Sequence, residues 1–334
     1  MAASGIVIGI DLGGTKILAG AVDEAGAVTH VQRELTHAQD GADAVINRLV
    51  GMIDRIRAAL DPGTPVAAVS IGVPGGVNIE AGIVDKAPNL RWLNVPLAAL
   101  LEARTGLPIF LDNDVRVAVL GEHAYGVGRG TQTMIGVWVG TGIGGGIIIN
   151  GRLHQGSRGV AGEIGHSIVV RKGPQCPCGN IGCIEALASR TSMERDVRQL
   201  IKKGMKSKVL ERMEKKGRTV ISSGVIAWSL ERQDPVMVKV FQRAQRALAT
   251  FTANMVNALD PEVVVFGGGI AERLGEAFVG PIRDQAREKF LSKRDVEKIQ
   301  IVPTQLKEVA PIAGAAFLAR QRLEKRGQVL SVAG

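Results

Sequence analysis

The chain has 334 residues, 46% hydrophobic and 22% charged, with 43 glycines against seven Phe, three Trp and one Tyr. This is a globular composition and excludes a disordered, collagen-like or disulfide-stapled chain. Formal charge is +9, but residues 190–218 alone hold eleven Lys or Arg against four Asp or Glu, so the basicity is local.

At roughly 100 to 200 residues per domain, the length corresponds to two domains. The longest uncharged stretch, residues 130–151, carries eight glycines among Thr, Gln and Asn, and no membrane span is expected there. The N-terminal segment has no basic region and reaches Asp11 after one short apolar run, unlike a secretion signal. A cytoplasmic protein is expected.

Apolar runs bounded by Gly, Pro or Asp predict buried strands over residues 6–10, 17–22, 66–73, 108–111, 134–139, 147–149 and 263–266. Helical spacing predicts helices over 42–60, 115–124 and 236–258, between the strands. Strands and helices alternate, so the class is α/β.

IVIGIDLGGTKILAGAV near the start is echoed by MIGVWVGTGIGGGIII after Thr133, each reading as strand, glycine turn, strand. Two related halves are expected, each with a hairpin whose backbone amides can approach an anion closely. The phosphate-binding candidates are Asp11, Gly13, Gly14, Thr15 and Lys16 in the first copy. In the second they are Gly140, Thr141, Gly142 and Gly144. Only the first copy carries a carboxylate, so Mg²⁺ placement is assigned to Asp11. Neither copy is a P-loop or a dinucleotide fingerprint, since no GxxxxGK[ST] occurs and GTGIGGG runs into a strand-like segment. A third turn, Gly267-Gly268-Gly269, follows an apolar strand and precedes a helical segment; a flat base could approach it.

Asn113 and Asp114 end a predicted strand and open a predicted helix. Either can cap that helix. A carboxylate there can also accept the proton of an attacking hydroxyl in phosphoryl transfer. His166, Cys176, Cys178 and Cys183 form one tetrahedral donor set, which predicts a structural zinc, with His154 the less favoured fourth ligand. The segment 190–218 predicts two charged helices separated at Gly204. It has no aromatic residue for base stacking, and no nucleic-acid partner is expected.

DLGGTK at Asp11, Asn113-Asp114, VGTGIGGG at Val139, EIGH at Glu163, CPCGNIGCIE at Cys176, FGGGI at Phe266 and Ala313-Gly314-Ala315 together resemble the ROK family of sugar kinases and repressors. The resemblance covers nearly the whole chain and is strongest to the bacterial glucokinases. It implies the actin-like ATPase (ribonuclease H-like) fold, two α/β domains around an active-site cleft. Residues 1–113 would form the smaller domain, completed by a C-terminal helix over 311–334. Residues 114–310 would form the larger one, with a zinc loop at 166–183 and a basic insertion at 190–218.

The resemblance further implies an ATP-dependent hexose kinase, with ATP, Mg²⁺ and structural Zn²⁺, acting on the 6-hydroxyl of glucose or a related hexose. Polyphosphate is the alternative donor. Asp114 would be the base. Asn113, Glu163, His166 and Glu185 would hold hydroxyls, with Gly76 and Asn89 lining the same pocket, and His166 would touch both zinc and sugar through its two ring nitrogens. A homodimer or homotetramer is implied as well. The chain departs from the family pattern at Val115 and Arg116, which follow Asn-Asp, and at Val77, where acetamido-sugar kinases carry Arg. Two other readings rank lower. A repressor needs a helix-turn-helix, for which residues before the first hairpin leave no room, and a motor-like ATPase would hydrolyse ATP without sugar.

Overall fold

Alternation along residues 6–12 sends Ile8, Ile10 and Leu12 to one side of a strand and Val7 to the other. The computed structural model, which describes residues 5–332 and side chains through residue 325, turns that pattern into the central strand of a sheet. Two units are present: residues 1–129 with 308–334, and residues 130–307.

In the first unit, β1 (Ile6–Leu12), β2 (Lys16–Val22) and β3 (Val28–Leu35) run antiparallel. β4 (Val66–Val73) lies parallel to β1 on its other side. A small sheet, β5 (Gly76–Asn78), β6 (Ile83–Ala87) and β7 (Trp92–Val95), interrupts the chain before β8 (Ile109–Asn113) pairs with β4. The main sheet order is β3-β2-β1-β4-β8. β3 and the small sheet carry no apolar run, which is why periodicity alone does not reveal them.

Helix α1 (Ala42–Ala59) buries Val45, Ile46, Leu49, Met52, Ile53 and Ile56 in the core on the Ile8 side, together with Leu97 and Leu101 of α2 (Leu97–Thr105). On the Val7 side lies the C-terminal helix (Ala310–Val332), through Ile312, Ala316 and Ala319. Helix α3 (Asp114–Tyr125) packs against that C-terminal helix so closely that a Cβ on Gly314 would stand 1.7 Å from the Val117 carbonyl oxygen. A Cβ on Gly121 would stand 2.2 Å from that of Ala310. This contact draws α3 into the first unit. The sequence-based boundary at residue 113 therefore moves to 129, and the return point moves from 311 to 308.

The second unit repeats the strand plan. β9 (Met134–Val139) and β10 (Ile143–Ile149) form a hairpin, β11 (Arg152–Leu153) extends it, and β12 (Val263–Gly267) and β13 (Gln300–Pro303) follow in parallel. The order β11-β10-β9-β12-β13 matches that of the first unit strand for strand, so the duplication legible in the sequence is a duplication of topology.

β10 begins four positions earlier than expected, at Ile143. Gly144 is therefore not a turn residue but a strand residue opposite Trp138. Its neighbour Gly145 is required for packing, since a Cβ there would meet the Ile164 side chain at 2.3 Å.

The helices of this unit are α4 (Ile184–Ala188), α5 (Arg190–Lys202), α6 (Val209–Glu214), α7 (Ser223–Glu231), α8 (Pro235–Leu259), α9 (Gly268–Leu274) and α10 (Glu276–Arg287). α8 starts on a strong signal: Asp234 accepts from the Val236 and Met237 amides, and Pro235 occupies the first position. The basic segment forms α5 and α6, and α5 turns Met193 and Val197 into the core. No helix among the described residues is long and apolar enough to cross a membrane.

Candidate active site

Gly13-Gly14-Thr15 joins β1 to β2. The turn is closed by the Gly13 amide, which donates to the Lys16 carbonyl at 2.9 Å. The buried Thr36 braces it, its hydroxyl donating to the Gly13 carbonyl at 2.6 Å and its amide to the Thr15 carbonyl at 2.9 Å. Thr36 lies just past β3, and nothing in the sequence marks it. Gly14 is forced by Asn89, since a Cβ on it would lie 2.8 Å from that of Asn89. The structure therefore brings Asn89 onto the first hairpin. Asp11 is half-buried on β1, opposite Leu18 and Gly72. Lys16 is exposed, with its ammonium 3.9 Å from Glu308, a carboxylate that Arg33 also pairs with at 2.5 Å.

Gly140-Thr141-Gly142 is the equivalent turn of the second unit. Its Gly140 amide donates to the Gly142 carbonyl at 2.9 Å. The Gly13 and Gly140 amides thus each close their own turn. The amides of Gly14, Thr15, Thr141 and Gly142 have no backbone partner among the described residues. The turn Gly267-Gly268-Gly269 lies beside β9, since a Cβ on Gly267 would enter the Trp138 ring and one on Gly268 would meet the Val139 carbonyl at 2.7 Å. Both turns sit at the ends of the neighbouring parallel strands β9 and β12.

At the end of β8 both Asn113 and Asp114 meet the first amides of α3, Asp114 Oδ1 accepting the Val115 amide at 2.9 Å. Asn113 is the cap: its Oδ1 accepts from the Val115 and Arg116 amides at 3.0 and 3.2 Å. Its Nδ2 donates to the Gly75 carbonyl at 3.3 Å, which ties the glycine pair before β5, and with it Gly76, to α3. Asp114 is the first helical residue, half-buried.

Behind it, Asp112 is fully buried between Arg116 at 3.1 Å and Arg322 at 3.4 Å. Burial raises the Asp112 carboxyl above its ordinary range, against the lowering effects of Arg116, the Asn113 amide and Arg322. Arg116, the departure from the family pattern, is thus a partner for a buried charge.

In the second unit, two isolated bridges, Ile168 with Cys183 and Gln175 with Ile181, fold residues 166–183 back on themselves. They gather His166, Cys176, Cys178 and Cys183 so that their ligand atoms lie within 4.8 Å of one another. Cys176 Sγ is 3.6 Å from His166 Nδ1, and Cys178 Sγ is 3.7 Å from Cys183 Sγ. Zn–S bonds of about 2.3 Å and Zn–N bonds of about 2.0 Å at tetrahedral angles require S···S near roughly 3.8 Å and S···N near roughly 3.6 Å. The donor set fits zinc. His154 is not part of the cluster.

Burial pushes the Cys183 thiol up to about 12 and raises Cys176 as well, while a backbone hydrogen bond from Asn180 lowers the exposed Cys178. Glu185, in the first turn of α4, spends Oε2 on the Ile143 amide at 2.8 Å, and its Oε1 is 4.0 Å from Cys176 Sγ. Glu163 is exposed just before the short turn that carries His166.

Two topologically equivalent α/β units, each led by a hairpin with a glycine turn, define the actin-like ATPase fold. The comparisons narrow this. The ROK family model matches residues 7–322. A glucokinase of Thermotoga maritima is 36% identical over 319 residues, covering 95% of this chain and 98% of the relative. The crystal structure of a ROK family glucokinase from Streptomyces griseus, in complex with glucose and AMPPNP, superposes with a TM-score of 0.79 at 33% identity, covering 95% of this chain and all of that one. A ROK hexokinase from Thermus thermophilus gives a TM-score of 0.80 at 30% identity, covering 96% and 99%. The chain belongs to the ROK family.

Proposed function

We propose that the chain is an ATP-dependent hexose kinase that takes glucose as acceptor and moves the γ-phosphoryl group to its 6-hydroxyl, with Asp114 as general base. The observation that carries this reading is the junction of β8 and α3, where Asn113 Oδ1 accepts from the Val115 and Arg116 amides and sets the next residue, Asp114, as the first of the helix. Asp114 Oδ1 accepts the Val115 amide as well, at 2.9 Å, which holds the carboxylate at the N-terminus of α3. It stands at the positive end of a helix dipole, which favours its charged, proton-accepting form.

The remaining roles follow from chemistry. Amides of Gly14, Thr15, Thr141 and Gly142 stabilise charge on the donor phosphates, while Gly267, Gly268 and Gly269 leave room for the base. Asp11, a hard oxygen donor beside the first turn, orients Mg²⁺. The hydroxyl ligands are Asn89, the Gly76 backbone, Glu163, His166 and Glu185. Asn113 contributes its second Nδ2 hydrogen. Zinc, when bound, clamps the 166–183 loop and fixes the imidazole. His166 presents Nδ1 to the thiols and keeps Nε2 for a hydroxyl, so the loop sets the orientation of a sugar ligand. The thiols must stay reduced for this, which agrees with a cytoplasmic location.

The test is a coupled assay over glucose, mannose, fructose, N-acetylglucosamine and N-acetylmannosamine, with ATP and polyphosphate as donors. Glucose with ATP is expected to be fastest; equal rates over the panel overturn the glucose assignment. Asp114→Asn is expected to lower kcat by about 10²- to 10⁴-fold while glucose still binds. Near-normal turnover removes Asp114 from the base role.

A further inference from the structure

Residue 190 opens the basic segment to which the sequence assigns no role. It is the first residue of α5, after the Ser189 cap, and the start of that helix is stitched to the second glycine hairpin. The Arg190 amide donates to the Gly140 carbonyl at 2.9 Å and the Thr191 hydroxyl to the Thr141 carbonyl at 2.8 Å. The side chain follows the backbone: Arg190 Nη2 donates to Thr141 Oγ1 at 2.5 Å, so the guanidinium lies on the hairpin itself.

Among the described residues Arg190 makes no ion pair. Glu194, the carboxylate whose field it feels, is occupied, with Oε1 on Arg198 at 2.7 Å and Oε2 on the Ile221 amide at 2.7 Å. Burial lowers the Arg190 pKa, Glu194 opposes this and Arg218 adds to it. A partly buried guanidinium held by one neutral hydroxyl keeps most of its five donors for an anion, and its planar fork matches two phosphate oxygens.

The hairpin needs such a charge. The Gly140 amide is spent within the turn and the Ile143 amide on Glu185, and the Glu185 carboxylate brings negative charge to the edge of Gly142. Two remaining amides, at Thr141 and Gly142, would face a polyanion beside a carboxylate. We propose that Arg190 is a ligand of the terminal phosphates of the phosphoryl donor, an inference that rests on reading this hairpin as a phosphate cradle.

The experiment uses the full-length protein with Arg190→Ala, Arg190→Lys and Gly142→Ala, the last placing a methyl inside the hairpin. Binding of ATP, ADP and AMP is measured by calorimetry, with KM for polyphosphate and for glucose. Arg190→Ala is expected to weaken ATP binding by about 10- to 100-fold, the range for a lost hydrogen bond to a charged group. AMP and glucose should change less than about twofold, and Arg190→Lys should fall between. A loss with polyphosphate in place of ATP upholds the phosphate role and reassigns the donor. An equal loss for AMP and ATP makes Arg190 a scaffold of the hairpin and overturns the proposal. If Gly142→Ala weakens ATP selectively and Arg190→Ala does not, the cradle stands and the Arg190 assignment falls. If neither variant alters ATP or polyphosphate, both fall.

Discussion

The Glu185 carboxylate accepts a hydrogen bond from the Ile143 amide at 2.8 Å, so a residue two positions after Cys183 holds the first strand residue after the second glycine turn. One carboxylate thereby links the thiol loop to the hairpin, its other oxygen lying 4.0 Å from Cys176 Sγ.

That link explains Gly142 and predicts the effect of filling it. A Cβ there would stand 2.4 Å from Glu185 Oε2, so Gly142→Ala must push the carboxylate off Ile143. Steady-state kinetics are expected to show a higher KM for ATP and a lower kcat, with a stability loss of about 1 to 3 kcal/mol for the displaced bond.

Metal binding should follow the thiols. With burial holding Cys183 near about 12 and raising Cys176, both are protonated in the metal-free protein at neutral pH, and zinc must displace those protons. Zinc affinity is therefore expected to rise with pH, and addition of zinc at pH 7 to release about two protons or more, read with a weakly buffered indicator. Metal analysis of the native protein should give about one zinc per chain, and Cys178→Ser should reduce it and weaken glucose binding.

Arg116 should matter for stability. Replacing it with Met leaves the fully buried Asp112 with Arg322 as its ion-pair partner among the described residues, and removing one member of a buried pair costs about 3 to 5 kcal/mol, measurable by urea denaturation. The pH trend has a definite sign. Asp112 is raised by burial, and a raised acid favours the fold when protonated. Relative to Asp112→Asn, the native protein is expected to lose stability as pH rises from the ordinary carboxylate value of 3.8 toward the raised one.

The helix contact that carries α3 into the first unit is also testable. Gly314→Ala would place a methyl 1.7 Å from the Val117 carbonyl oxygen, between two backbones that cannot yield as a side chain does. A loss of about 3 kcal/mol or more is expected in thermal unfolding.

By itself the sequence determined what is local: the α/β alternation, both glycine hairpins, the cap position at Asn113-Asp114, and the thiol set. These depend on residues adjacent in the chain, whose torsional preferences and donor chemistry act before any packing. What only the tertiary structure decided is the pairing of distant groups: Thr36 under Gly13, Asn89 against Gly14, Glu185 on Ile143, Arg190 on Thr141, and Arg116 and Arg322 around Asp112. It also placed Gly144 in a strand and α3 beside the C-terminal helix. Such contacts are set by how close two backbones pack and by which buried charge lacks a partner, quantities that no spacing along the chain encodes.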